Sequence, residues 1–232
     1  MFIMIKRQTA QLALGLIALV YFCTFTACST TRIVKPLQAK EIMVSADFGG
    51  PLIGFGGATI PLPFSSITGA YGIDSNWTAF VGVHATAAMY GTGQIDLGAI
   101  YRLYQSKKQY IPSISTALST HLLLDGFEGS FRAYPVVDVN LYWQYLKSGN
   151  NYIYFNWSSW FDFWQRANGE PNAKAYRPSF GLGHTFENAK MRYTIEAKYM
   201  LPGERSDLSP VNYVGINGRG GIGVYIGVSR KF

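Results

Sequence analysis

Gly221-Ile-Gly-Val-Tyr-Ile-Gly-Val-Ser-Arg-Lys-Phe232 is the stretch whose reading decides the fold. Ile222, Val224, Ile226 and Val228 fall on one face, with glycine, Tyr225 and Ser229 on the other. A strict period of two is the signature of a strand with one apolar face, because successive side chains of an extended chain point to opposite sides. Taken alone, the pattern fits either the last strand of a soluble β-sandwich or a strand of a barrel whose outside meets lipid. The rest of the chain separates the two.

Working back from this strand, nine more segments alternate in the same way: residues 42–48, 64–73, 77–90, 94–104, 110–124, 131–146, 152–164, 179–187 and 191–201. In the first, Ile42, Val44, Ala46 and Phe48 share a face; in the fourth, Ile95, Leu97, Ala99, Tyr101 and Leu103 oppose Asp96 and Arg102. The third places Trp77, Ala79, Val81, Val83, Ala85, Ala87 and Met89 together. Aromatic residues make up 16% of the chain and charged residues only 14%, which is odd for a water-soluble domain of this length. Long alternating strands rich in aromatics predict an all-β protein, an antiparallel transmembrane β-barrel of about ten strands, with eight as the alternative. Pro112 and Pro135 are misfits, because proline removes a ladder hydrogen bond; a bulge or break is expected at each.

Loop lengths agree with a barrel. If the N-terminus lies on the periplasmic side, the outward connections are 49–63, 91–93, 125–130, 165–178 and 202–220, and the periplasmic ones are 74–76, 105–109, 147–151 and 188–190. All the long connections then face outside, as outer-membrane barrels require.

The N-terminus reads as a signal. Lys6 and Arg7 precede an apolar run from Leu12 to about Phe22, and Phe25-Thr26-Ala27-Cys28 follows. That run is too short for a transmembrane helix, which needs about 20 residues, and the order of parts is that of a secretory signal. Small residues before Cys28 make it the expected site of lipidation by acyl chains such as palmitate; Cys23, behind Tyr21 and Phe22, fits poorly. The alternative is an ordinary cleaved signal, with Cys28 as a bystander. The organisation expected is therefore a lipoprotein signal peptide over 1–27, a lipidated linker over 28–40 and a barrel over 41–232. With Ser29 rather than Asp after the cysteine, the expected location is the outer membrane, with both termini periplasmic. Removing Lys6 and Arg7 takes the formal charge from +7 to +5, and the bases are scattered. Attraction to outer-membrane lipid is expected, and nucleic-acid binding is not.

The closing strand resembles the C-terminal strand of bacterial outer-membrane β-barrels. The resemblance implies that Ile222, Val224, Ile226, Val228 and Phe232 are read by the barrel-assembly machinery. Arg230 departs from the pattern, and its side chain is expected to reach toward headgroups.

Inward faces are where chemistry would live. Asp47, Asp96, Asp138, Asp162 and Glu196 fall there against Arg102, Arg132, Arg192 and Lys198, together with His84 and His121. The signs nearly balance, which predicts a self-neutralising lumen network, since buried charges persist when paired. A narrow pore is the alternative. Enzyme patterns fare worse. The positions two after His84, His121 and His184 are Thr86, Leu123 and Phe186, so the His-x-Ser pair of barrel phospholipases is missing, as are Asp-x-Asp and Asp-x-His pairs. Ser119 and His121 share a face, but residues i and i+2 of a strand sit about 7 Å apart. No zinc spacing, phosphate loop or nucleotide fingerprint occurs, so no catalytic residue, metal or cofactor is expected.

In the aromatic run Tyr152-Ile-Tyr-Phe-Asn-Trp-Ser-Ser-Trp-Phe-Asp-Phe-Trp164, Phe155, Trp157, Phe161 and Phe163 take the lipid-facing phase. Trp160 and Trp164 take the other, to fill the lumen or pack under the loop that follows. A protein contact along this strand is a second reading. Cys28-Ser-Thr-Thr-Arg-Ile-Val-Lys-Pro-Leu37, Gly49-Gly-Pro-Leu-Ile-Gly-Phe55, Gly183-His-Thr-Phe186 and Glu196-Ala-Lys-Tyr199 together resemble a family of small lipidated outer-membrane β-barrel proteins of Bacteroidota. That resemblance implies an envelope component without assigned chemistry, an accessory subunit beside a larger outer-membrane machine for assembly, secretion or uptake. The expected function is thus structural and non-enzymatic, with other outer-membrane proteins as partners. A narrow channel and a lipid-modifying barrel enzyme are the alternatives.

Overall fold

A computed structural model describes residues 33–89, 91–126, 129–145, 150–164, 166–167, 170–171, 174–207 and 212–232. Among them run β1 (Ile42–Phe55), β2 (Ala58–Pro61), β3 (Phe64–Gly72), β4 (Trp77–His84), a short helix α1 (Ala85–Met89), β5 (Thr92–Tyr104), β6 (Ser113–Asp125) and β7 (Phe131–Gln144). There follow β8 (Tyr152–Phe161), β9 (Arg166–Ala167), β10 (Glu170–Pro171), β11 (Tyr176–Glu187), β12 (Met191–Arg205) and β13 (Arg219–Lys231).

Alternation of side chains forces the architecture. Large apolar residues at every second position cannot meet water, and the backbone between them cannot meet lipid unpaired, so the sheet must close on itself. It does. Among the described residues ten strands form one antiparallel barrel in the order β13, β12, β11, β8, β7, β6, β5, β4, β3, β1. The seam is the pairing of β1 with β13, from Met43 opposite Lys231 to Pro51 opposite Gly223. The ten-strand expectation holds and the eight-strand alternative falls.

The two faces are the inverse of a soluble protein's. Val44, Ile67, Val81, Leu97, Leu118, Leu182, Ile195 and Ile226 are exposed around the outside, whereas Asp47, Thr78, His84, Asp96, His121, Asp138, Asn140 and Glu196 are buried inside. Aromatic rings gather toward the two rims, as at the interfaces of a bilayer. Trp77 stacks near Tyr101 with ring centres 4.6 Å apart at the end that carries both chain termini. At the other end Phe161 stacks on Phe163 at 6.0 Å. Within the barrel, Gly183 leaves room for the Tyr154 ring, which would lie 2.2 Å from any Cβ added there.

Several boundaries differ from the sequence reading. Alternation through Ala85, Ala87 and Met89 does not continue the fourth strand; these residues form α1, in keeping with the helical preference of alanine. Thr86 anchors that turn, its hydroxyl donating to the Pro63 carbonyl at 2.9 Å and accepting from the Ser65 amide at 2.8 Å. Pro112 does stop a strand, since β6 begins one residue later. Pro135 causes no bulge: β7 stays in register against β6 through the Thr120–Pro135 pair. The β7–β8 ladder begins only at Val136 opposite Trp160, so Pro135 sits where no bond to β8 is needed. The outward connection 49–63 is largely sheet. β1 runs on past the barrel and folds back as β2, from Leu52 opposite Pro61 to Phe55 opposite Ala58.

The larger correction concerns the chain before β1. The described part of the expected linker over 28–40 is not a free tether. Val34 and Leu37 are fully buried, because residues 33–37 enter the barrel and pack across its lumen. Residues 1–32, with the expected signal and Cys28, lie outside the described residues.

Candidate functional site

The lumen is the site, and the inserted N-terminal strap forms its floor. Val34 packs against Tyr142, Tyr152 and Tyr154 on β7 and β8. Leu37 packs against Met43 and Ala70 on β1 and β3, with Ile33 and Phe80 beside them. The strap therefore spans the lumen from one wall to the other. Its backbone polar groups, which have no ladder to join, are met by wall hydroxyls: Ser115 donates to the Val34 carbonyl at 2.5 Å and the Leu37 amide donates to Thr78 Oγ1 at 2.9 Å. Gly72 makes the close approach possible, since a Cβ there would fall 1.9 Å from the Gln38 carbonyl oxygen.

Beside the strap lies a shared ion cluster. Glu187 receives Lys231 at 2.7 Å, Arg192 at 3.2 Å and Lys35 of the strap at 3.6 Å, while Lys231 also approaches Glu41 at 3.4 Å. Burial pushes the Lys35 ammonium below the ordinary lysine value, and the Glu187 charge opposes that fall. Because three cations converge on one buried carboxylate, removing the carboxylate costs far more than removing any one base.

Above the floor the wall is polar. Tyr154 donates to Glu196 at 3.0 Å, and Lys198 lies 3.7 Å from the same carboxylate and 4.8 Å from the Tyr225 ring centre. Asn156 donates to Asn140 at 2.7 Å, and Asn140 to Ser115 at 3.2 Å. A cavity of about 40 Å3 is bounded by Asp47, Asp96, Asp138, Asn140, Arg192 and, from the strap, Ile33. That is room for a few waters at a site with many polar partners.

Toward the opposite rim Asp96 is gripped by two imidazoles. His84 Nε2 donates to it at 2.9 Å, and His121 Nδ1 donates to its other oxygen. The His121 ring lies 5.3 Å from Trp160, which meets Tyr134 edge-on at 5.2 Å. Asp162 meets Arg177 at 3.5 Å, and Arg177 meets Glu204 at 3.2 Å. Arg132 lies over the Trp164 ring at 5.8 Å, so Trp164 caps the rim where the run ends.

All eight charges expected in the lumen network do sit on inward faces: Asp96, Asp138, Asp162, Arg192, Glu196 and Lys198 are buried, and Arg102 and Arg132 are half-buried. Arg192 pairs with Glu187, and Asp96 with histidines, because cross-strand register and not sequence order sets the neighbours. Sequence reasoning passed over Glu187, Arg177, Glu204, Glu41, Lys231 and the strap's Lys35. One signal was available for the first: Glu187 and Arg192 flank a tight turn and are directly opposite in the ladder. His121 engages Asp96 directly across the β5–β6 ladder. No group of His, Cys, Asp and Glu suited to a metal occurs among the described residues.

The closing strand takes the expected phase. Val224, Ile226 and Val228 are exposed on the outer face and Ile222 is half-buried. The Phe232 amide donates to the Ile42 carbonyl at 2.9 Å, and Arg230 lies over the Phe232 ring at 5.0 Å.

Comparison with solved structures finds outer-membrane barrels. An outer membrane channel from Pseudomonas putida F1 is 8% identical, the match covering 88% of this chain and 100% of that one at a TM-score of 0.50. The translocator domain of the autotransporter NalP from Neisseria meningitidis is 12% identical over 84% of this chain and 89% of that one, at 0.41. The NanC porin is 12% identical over 82% of this chain and 100% of its own, at 0.42. No family model and no curated protein matches the sequence. The first of these structures, together with the closed barrel and its apolar exterior, defines the class: the chain has the fold of the outer-membrane β-barrels. Within that class it is a ten-stranded barrel with its own N-terminal segment inside it.

Proposed function

We propose that this protein resides in the outer membrane as a closed, non-enzymatic barrel lipoprotein and serves as a structural or accessory subunit of a larger outer-membrane assembly. The observation that carries the reading is the filled lumen: strap, tyrosines and ion clusters occupy the space that a diffusion pore keeps open. Lipidation at Cys28 would anchor the N-terminus at the leaflet next to the strap, with both termini periplasmic. The long excursions at the other rim would then face outward and meet a partner. The β1–β2 hairpin is the most prominent of them, with Phe55 and Ile60 exposed. Extraction of native membranes in mild detergent, followed by pull-down and mass spectrometry, should recover stoichiometric outer-membrane partners; recovery as a lone monomer would break the reading. A narrow channel is the second reading, favoured by the polar cavity and by the fold shared with the Pseudomonas putida channel. Steady conductance of the wild-type protein in planar bilayers would select it, and silence would exclude it.

A further inference from the structure

We propose that the rim bearing both chain termini is a basic collar that selects anionic phospholipid headgroups from the leaflet around it. The inference rests on the membrane-barrel fold and is independent of the accessory-subunit role.

Bases that are scattered in the sequence are sorted by the fold. Among the described residues Lys40, Lys107, Lys108, Lys190 and Arg230 are exposed at this rim, against Asp74 as the exposed acid. Asp74 serves its own turn, where Oδ1 accepts from the Asn76 amide at 2.6 Å and the Trp77 amide at 2.8 Å. Glu41 is half-buried and faces Lys231 at 3.4 Å. At the opposite rim the exposed bases Lys174, Arg205 and Arg219 share their surface with acids: Asp207 accepts from Arg205 at 2.6 Å, and Asp162 and Glu204 hold Arg177 at 3.5 and 3.2 Å.

Placement chooses the partner. Lys190 lies in the β11–β12 turn, Arg230 at the end of β13 and Lys40 just before β1, whereas Lys107 and Lys108 lie in the β5–β6 loop, half-way round the barrel. A protein docking on one side would meet only one of these groups; a leaflet meets both. The side chains also ride on exposed rings, Arg230 over Phe232 at 5.0 Å and Lys108 over Tyr110 at 5.7 Å. The lipid-facing rings of Tyr71, Trp77, Phe186 and Tyr193 are exposed at the same end, as at the boundary between acyl chains and headgroups. Cations carried past that boundary on apolar stems stand at phosphate depth, where each adds attraction to an anionic surface.

Electron spin resonance of the full chain in phosphatidylcholine vesicles tests this, with trace spin-labelled phosphatidylglycerol or phosphatidylcholine as probe. The motionally restricted lipid around the barrel should favour phosphatidylglycerol at least about threefold. The preference should fall toward unity in about 1 M NaCl, where the screening length is about 3 Å. It should fall equally in Lys107→Gln/Lys108→Gln/Lys190→Gln/Arg230→Gln and persist in Lys174→Gln/Arg219→Gln at the other rim. Heat-modifiable migration on SDS gels shows which variants are folded. No preference in wild type, a preference that survives in the folded quadruple variant, or one that the opposite-rim variant loses as fully, overturns the collar. Should the quadruple variant not fold, Lys107→Gln/Lys108→Gln, confined to a loop, must lower the preference; a folded pair indistinguishable from wild type overturns the proposal equally. Retention on purified peptidoglycan without lipid preference assigns these bases to the cell wall and overturns the lipid reading. Absence of restricted lipid of either kind breaks the membrane-barrel reading itself, and the collar with it.

Discussion

The two ends of this barrel are closed by different physics. At the end that carries the termini, the turns at 73–76 and 188–190 are short, and a strap with buried Val34 and Leu37 is held beside one carboxylate shared by three bases. At the opposite end the chain makes long excursions, and rings gather in the lumen: His84 and His121 on Asp96, Trp160 beside His121, and Tyr134 edge-on to Trp160. There Ser206 ties the β12–β13 connection by donating to the Gly220 carbonyl at 2.7 Å, and the Val214 amide bonds the Leu52 carbonyl at 2.8 Å, fastening that connection to the β1 extension. The difference teaches that alternation decides which face a residue takes but not how a lumen is sealed. One end is sealed by a segment that does not alternate at all.

Four substitutions test the contrast. Glu187→Gln should have the largest effect, because it leaves Arg192, Lys231 and Lys35 around a neutral amide. A loss of about 3–5 kcal/mol is expected in urea unfolding from lipid vesicles; a loss below about 1 kcal/mol would make this end no more dependent on charge than an exposed surface. Next comes Leu37→Ala, expected to cost about 2–4 kcal/mol through the cavity it opens against Met43 and Ala70. The matched Phe55→Ala change at the opposite rim, at a side chain that is 60% exposed, should cost far less. Equal costs would erase the distinction between a packed end and a projecting one. The smallest effect belongs to Asp207, whose carboxyl is held below the usual aspartate value by hydrogen bonds from Arg205, at 2.9 and 2.6 Å. A carboxylate depressed in the folded state adds stability above its unfolded value and loses it as pH falls through the folded one. Because the pair is fully exposed, acid titration should show Asp207→Asn unfolding indistinguishably from wild type; a clear separation would mean that this rim is more tightly ordered than its exposure implies.

The wall was legible in the sequence because a strand in a membrane barrel must satisfy two solvents at once, and period two records both. Ile95 to Leu103 and Ile222 to Val228 show it most plainly. The lumen partners were much less so: Asp96 meets His84 and His121 because of strand register, which no local pattern encodes. The strap was missed for a different reason. Ser29 to Lys40 is short, polar and interrupted by Pro36, the composition of a tether, and only Ile33, Val34 and Leu37 mark it as something that packs. Likewise Ala85 to Met89 keeps the alternation of a strand while its alanines suit a helix, and the bonds of Thr86 at the rim decide between them.

The seam gives the strap a place in time. β1 and β13 are the most distant partners in the chain, with Ser45 bonded to Ser229 at 2.9 Å across 184 positions, and so distant a pairing is slow to form. The strap lies immediately before β1. When the last ladder closes, the segment that fills the interior is therefore already attached to one of its two edges. Biogenesis of this barrel is then a packing problem as much as an insertion problem.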